Sequence, residues 1–228
     1  MKKLLLLSLL ALSGVASLRA ADLRGPREEY VTRVETCEAI LREFMGDPAT
    51  AIPAAVLQRA RAIVIVNQVK AGFVFGVKDG YGVILAKKAD GHWSVPVILT
   101  AGEASLGLQF GVKTLETVMV ITDDATPRLI FNNRFNVGVD AKAVAGPHAK
   151  GGEDDNHPII AAPVLVYTKS SGLYAGATVK AGYLARADTA NFSLYHTGYT
   201  LPEILYSDWV QPVPEVIPLM DYLKQIAP

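Results

Sequence analysis

The sequence predicts an α+β fold, in which a glycine-rich, strongly curved and mainly antiparallel β-sheet carries packed helices from both ends of the chain. Between Ala62 and Asp124, short runs rich in Val, Ile and Phe are separated by glycines, as in consecutive short strands. Near the N-terminus, Arg27–Met45 has apolar residues at helical spacing. The curvature is expected to make the sheet barrel-like, and a β-sandwich with peripheral helices is the alternative.

Continuous apolar runs mark the strands, because a strand buried on both faces has no alternation of apolar and polar residues. The clearest runs are Ile63–Val66, Val83–Leu85, Val95–Leu99 and Val118–Ile121. Asp79-Gly80 and Asp90-Gly91 are dipeptides typical of hairpin turns, and each is expected to join two strands. Val137–Val144 and Pro163–Tyr167 are predicted to be later strands.

The first helix is predicted to dock on the domain. Tyr30, Val34, Cys37, Leu41 and Phe44 recur at spacings of four and three residues and form an apolar stripe. The polar face of this helix carries more acidic than basic residues, whereas helices that lie on a membrane surface carry Lys and Arg there. A second short helix is expected from Pro53 to Arg61, which gives an N-terminal helical segment over residues 27–61.

Residues 1–21 are predicted to be a secretory signal peptide. A basic start at Met1–Lys3 precedes the apolar stretch Leu4–Leu12 and a run of small residues that ends at Ala21. Cleavage is expected after Ala20 or Ala21, or alternatively after Ala16, and residues 22–228 then form a single domain. The signal predicts a periplasmic or secreted location, where the protein is able to associate with a membrane.

The charge balance argues against a nucleic-acid partner. The full chain has 22 basic and 22 acidic residues, and removal of residues 1–21 leaves 19 basic residues and a net charge of −3. Non-specific affinity for nucleic acid depends on neutralising phosphates, which an acidic protein does poorly. Binding to an anionic membrane would therefore require a local patch of basic residues.

No pattern in the sequence predicts an enzyme or a bound cofactor. Gly72, Gly76, Gly80 and Gly82 lack the spacing of a phosphate-binding loop, and they are expected to serve turns, bulges and close strand approach. Ser105 is one residue out of register with a nucleophile elbow. Imidazole and carboxylate groups are plausible metal ligands, so a small metal-dependent enzyme using the loop 146–158 is a further alternative. That loop contains His148, Glu153, Asp154, Asp155 and His157.

A series of short motifs resembles the SYLF domain, a family of phospholipid-binding modules found in membrane-trafficking adaptors and in secreted bacterial proteins. The motifs stand in the order typical of that family and cover roughly residues 52–205. They are Ala71-Gly72-Phe73, Gly80-Tyr81-Gly82-Val83, Trp93-Ser94-Val95-Pro96, Gly107-Leu108-Gln109-Phe110-Gly111, Gly146-Pro147, Tyr167 with Ser171-Gly172-Leu173-Tyr174-Ala175-Gly176, and Asn191 with Tyr195. The resemblance implies non-enzymatic binding of phospholipid head groups or membrane surfaces in the bacterial periplasm or envelope.

The expected mechanism is contact of lysines with lipid phosphates, aided by aromatic side chains at the interface. Trp93 is expected in the core, while Trp209 fits either a membrane interface or the edge of the core. The alternative to lipid binding is an envelope structural or protein-interaction module without lipid specificity. The predicted lipid-binding residues are Lys70, Lys78, Lys87, Lys88, Lys113, Lys169 and Trp209.

Overall fold

The computed structural model describes residues 26–72, 76–105, 111–131, 134–146, 162–170 and 182–228, with the backbone alone described at 69–72, 76–79, 103–105, 111–113 and 170. The predicted signal peptide lies outside these residues. Six helices are described: α1 (Arg27–Gly46), α2 (Ala54–Leu57), α3 (Thr126–Ile130), α4 (Asp188–Tyr195), α5 (Leu201–Tyr206) and α6 (Ile217–Ile226). A short 3-10 turn, Pro214–Val216, leads into α6.

The described strands form one curled, half-barrel sheet with the order β5-β8-β3-β2-β1-β4-β7-β6. All neighbouring pairs are antiparallel except β6 and β7. The α+β class and the curved, mainly antiparallel sheet are therefore confirmed, and the two-sheet alternative is wrong for these strands. The strands are β1 (Ala62–Gly72), β2 (Gly76–Ala86), β3 (Val97–Ser105), β4 (Gly111–Ile121), β5 (Phe135–Asn136), β6 (Ala143–Ala145), β7 (Val164–Ser170) and β8 (Tyr183–Arg186).

The first predicted hairpin turn is wrong. Asp79 and Gly80 lie inside β2, where they pair with Val69 and Gln68 of β1, and the strands are joined by residues 73–75. The second turn is confirmed, since Gly91 has a φ of 84° and its N–H donates to the carbonyl of Lys88. A dipeptide that favours a turn is thus overridden at Asp79-Gly80 by a long strand pairing on both sides.

Gly80 and Gly82 are needed because the neighbouring strand passes very close to them. A Cβ atom at Gly82 would lie 2.5 Å from the Ile65 carbonyl oxygen, and one at Gly80 would lie 2.6 Å from that of Asn67. These contacts are with backbone, which cannot move aside as a side chain can. The close approach agrees with the strong curvature of the sheet, for which glycines inside strands are a common device.

The predicted strand over Val137–Val144 is also wrong. A turn with Gly138 at a φ of 80° separates β5 from β6, and only a single bridge between Val137 and Ala141 remains. The carboxylate of Asp140 accepts hydrogen bonds from the backbone and side chain of Asn136, at 2.6 and 3.1 Å. Local side-chain bonds of this type favour a turn over an extended strand.

The sheet is covered on both faces by apolar side chains. One face packs against α1, α4 and α6 through residues such as Ile63 and Ile65, and the other packs against α3 and α5 through Val64 and Val66. Alternate residues of β1 therefore enter two different cores. This double burial explains why the central strands show continuous apolar runs rather than alternation.

Helix α1 lies on the sheet as predicted, and the apolar stripe from Tyr30 to Phe44 is buried. Cys37 is fully buried, and burial raises the pKa of its thiol to about 12. The helix also contacts the C-terminal segment, because the guanidinium of Arg27 forms a bidentate ion pair with the carboxylate of Glu215, with N–O distances of 2.7 and 3.0 Å. Among the described helices, none combines the length and the apolar character that crossing a membrane requires.

Candidate functional site

The sheet brings three of the predicted lipid-binding residues into one row, named here the lysine row. Lys70 of β1 pairs in register with Lys78 of β2 on one side and with Lys113 of β4 on the other. Directly opposite positions of antiparallel strands belong to the same face of a sheet, so these three positions share one face. With strands about 4.8 Å apart, the row spans about 10 Å across the sheet.

This arrangement is unfavourable for folding by itself. Like charges directly opposite one another on neighbouring strands are destabilising. One acidic position, Glu103 of β3, stands opposite Lys78 at the outer end of the row. Three cationic positions and one acidic position thus lie side by side across four neighbouring strands.

The lysine row lies at the end of the sheet where two strand connections leave it. β1 ends at Gly72 and β2 begins at Gly76, while β3 ends at Ser105 and β4 begins at Gly111. The row is therefore two residues from the end of β1 and from the start of β2 and β4.

Lys169 is separate from the row and already has acidic partners. It pairs in register with Glu116 of β4, a position on the opposite face from Lys113 by strand alternation. Its ammonium forms an ion pair with Glu43 of α1, and this hydrogen bond raises the pKa of Lys169. Burial and the nearby Glu43 raise the pKa of Glu116. The structure thus places Lys169 between α1 and the sheet.

Lys87 and Lys88 lie at the opposite end of β2 from the row. Nine residues separate Lys78 from Lys87, which corresponds to about 30 Å along an extended strand. The Lys88 ammonium donates to the Ser207 carbonyl at 2.9 Å and to Asp208 at 2.6 Å. The Lys87 ammonium donates to the Pro228 carbonyl and lies 5.7 Å from the centre of the Trp93 ring.

The two tryptophans have different environments. Trp93 is only 7% exposed, and its indole N–H donates to the Ala227 carbonyl at 2.8 Å, so the predicted core role is confirmed. Trp209 is 61% exposed and stacks at a tilt on Tyr199, with 5.3 Å between the ring centres. It follows Asp208, the partner of Lys88, and therefore belongs to the same end of the sheet as Lys87 and Lys88.

Lys87 and Lys88 line a pocket of about 770 Å³, named here the basic pocket, together with two arginines that the sequence did not single out. Arg61 precedes β1, and Lys87 follows β2; the Lys87 N–H donates to the Arg61 carbonyl at 2.8 Å. Arg128 comes from α3. An antiparallel pairing of β1 with β2 brings residue 61 to residue 87, but no sequence pattern places Arg128 beside them.

The histidine-rich loop predicted as an alternative metal site falls in residues 147–161, outside the described residues, apart from Gly146 at its start. Within the part of the chain that the structure describes, no group of three His, Cys, Asp or Glu side chains is arranged to hold a metal ion.

Comparison with known proteins identifies a family and several relatives. A family model described as "Ysc84: Las17-binding protein actin regulator" matches residues 102–226. LAS seventeen-binding protein 3 of Saccharomyces cerevisiae is 32% identical over 179 residues, covering 77% of this chain and 39% of the yeast protein. SH3 domain-containing YSC84-like protein 1 of Homo sapiens is 27% identical, covering 76% of this chain and 52% of the human protein.

A third relative, an SH3 domain-containing protein of Schizosaccharomyces pombe, is 30% identical over 164 residues, which are 71% of this chain and 38% of that protein. The chain thus spans between 38% and 52% of the length of these curated relatives. None of their names describes an enzyme. No solved structure matches the chain.

Proposed function

Because the chain belongs to the Ysc84 (SYLF) family, we propose that it is a non-enzymatic protein that binds anionic phospholipid surfaces. The single observation that carries this proposal is the lysine row, in which Lys78, Lys70 and Lys113 occupy directly opposite positions on three neighbouring strands. A basic residue close to an anionic membrane gains about 1 kcal/mol. Three such residues at one level of a rigid sheet would act together on one membrane.

The composition of the two strand connections next to the lysine row also supports membrane contact at this end of the sheet. The chain between β1 and β2 reads Phe73-Val74-Phe75, and that between β3 and β4 reads Leu106-Gly107-Leu108-Gln109-Phe110. Apolar and aromatic residues next to basic ones are the composition of membrane-surface segments. We infer that the end of the sheet carrying the lysine row contacts the membrane and that the basic pocket faces away from it.

The proposed location is the bacterial periplasm or envelope, after removal of residues 1–21. The basic and apolar start of the chain supports this location. Since a net charge of −3 is expected after cleavage, attraction to an anionic membrane depends on the local row rather than on the whole molecule.

A second candidate function is binding of a protein partner. The relatives are named for Las17 binding and for SH3 domains, and the exposed Tyr199–Trp209 pair is an aromatic surface of the kind enriched at protein interfaces. In this function the chain would be an envelope interaction module without lipid specificity. The pair lies at the end of the sheet opposite the lysine row, so the two functions use different surfaces.

Vesicle flotation tests the lipid proposal. Residues 22–228 are expected to float with phosphatidylcholine vesicles that contain phosphatidylserine, and to remain at the bottom with phosphatidylcholine alone. Raising the salt from about 0.1 M to about 1 M shortens the screening length from about 10 Å to about 3 Å and should release the protein. Absence of flotation with the anionic vesicles at low salt would contradict lipid binding and favour the protein partner.

A further inference from the structure

The basic pocket has more cationic than acidic side chains around a space that the described residues leave open. Its lining includes Arg61, Lys87, Lys88 and Arg128, and the only carboxylate in the lining is that of Asp124. Phe131, Pro202 and Tyr206 contribute apolar surface to the same pocket. A volume of about 770 Å³ falls within the range typical of sites for small organic ligands.

Two of the four cations have carboxylate partners. The Arg61 Nε lies 3.7 Å from Asp124 Oδ1, which is too long for a hydrogen bond, and Lys88 pairs with Asp208. Lys87 donates to an oxygen of Pro228, the last residue of the sequence. Within the described residues, no acidic side chain forms an ion pair with Arg128. Within the described residues, Lys87 and Arg128 therefore have no aspartate or glutamate ion-pair partner.

The remaining hydrogen-bond donors suit an anion with several oxygens. Neither arginine side chain makes a hydrogen bond within the described residues, and each presents five N–H groups in a planar fork. Such forks match the oxygens of phosphate and carboxylate groups. Each lysine ammonium has three N–H groups. Lys88 uses two of them, on Ser207 and Asp208, and Lys87 uses one, on Pro228.

The donors lie at different depths in the pocket. Lys88 has 16% of its side chain exposed, while Arg61 at 53% lies at the rim. Helix α3, which carries Arg128, is capped by Asp123, whose carboxylate accepts from the backbone N–H groups of Ala125 and Thr126 at 2.8 and 2.7 Å. The backbone at the start of α3 is thus held next to the end of β4, and the Arg128 side chain extends from it at an exposed position.

The geometry points to a binding site for an organic phosphate monoester in the basic pocket. A phosphate monoester carries about two negative charges near pH 7, so it balances more of the excess of cationic over acidic side chains in the lining than a single carboxylate does. The apolar lining receives the organic group that the phosphate bears. This site is distinct from the lysine row, because the two are about 30 Å apart at opposite ends of β2.

Calorimetric titration of residues 22–228 with glycerol 3-phosphate and with inorganic phosphate tests the site. The wild-type protein is expected to bind at a single saturable site. Arg61→Gln with Arg128→Gln should weaken this binding by about tenfold or more, because both forks are lost. The control Arg59→Gln changes an exposed arginine two residues from Arg61 that does not line the pocket, and it should leave the affinity unchanged.

Vesicles containing phosphatidic acid distinguish a lipid head group from a soluble phosphate. Dependence of vesicle binding on Arg61 and Arg128 would assign the site to a phosphorylated lipid, and its independence, with soluble binding retained, would assign it to a soluble ester. The lysine-row variant described in the Discussion should bind glycerol 3-phosphate with the affinity of the wild type. Loss of phosphate binding and loss of membrane binding can therefore be told apart. No saturable phosphate binding, or an equal loss in Arg59→Gln, would overturn the inference.

Discussion

Asn191→Ala is expected to lower the free energy of unfolding by about 3 kcal/mol. The Asn191 side chain is buried in α4; its Oδ1 accepts from the Ile98 N–H at 2.8 Å, and its Nδ2 donates to the Ile98 carbonyl at 2.9 Å and the Ala187 carbonyl at 3.1 Å. Strand β8 reaches only to Leu99 of β3. The amide of Asn191 therefore continues the sheet's hydrogen bonding one residue beyond the end of β8.

The expected cost arises because alanine leaves two buried backbone groups of Ile98 without partners, each worth about 1–3 kcal/mol. Alanine is also the better helix former, so a change in helix propensity would act in the opposite direction. Urea denaturation followed by circular dichroism measures the effect. The control Thr189→Ala, at an exposed position of the same helix, should change stability by less than about 0.5 kcal/mol. A similar small change in Asn191→Ala would refute this role.

Replacing the lysine row by glutamine, in the triple variant Lys70→Gln, Lys78→Gln and Lys113→Gln, should weaken binding to phosphatidylserine vesicles by on the order of 100-fold. Each lysine near an anionic membrane contributes about 1 kcal/mol, and about 1.4 kcal/mol corresponds to tenfold. The same variant should be no less stable than the wild type, because it removes like charges from directly opposite positions.

The matched control for this variant removes the same amount of charge elsewhere. Arg59→Gln, Lys142→Gln and Lys224→Gln are at exposed positions outside the row, and this triple variant should keep most of the vesicle affinity. Cosedimentation over a range of lipid concentrations gives both partition coefficients. Equal losses in the two triple variants would show that overall charge, rather than the row, determines binding.

Helices and central strands could be predicted from the sequence because their signals are local. The apolar stripe of α1 and the continuous runs of the central strands report burial directly. The lysine row could not be located, because its register depends on the position of one turn. With a turn at Asp79-Gly80, Lys78 would be opposite Tyr81; with strands joined by residues 73–75, Lys78 is opposite Lys70.

The basic pocket was missed for a different physical reason. Its cationic residues come from the start of β1, the end of β2 and helix α3, and only the folded sheet brings these segments together. The role of Asn191 could not be predicted for a similar reason. The sequence marked it through its resemblance to a family, but its function as a hydrogen-bonding extension of the sheet depends on the point at which β8 ends.

The orientation of the bound protein is the most direct test of the account. Single cysteines at Leu115→Cys, two residues after Lys113 and on the same face of β4, and at Ala89→Cys, beside the basic pocket, can carry a fluorophore, since the native Cys37 is buried with a pKa of about 12. In phosphatidylserine vesicles with a quencher attached to the lipid, fluorescence at position 115 should be quenched and that at position 89 should not. Quenching at position 89 alone, or equally at both positions, would contradict membrane contact through the lysine row.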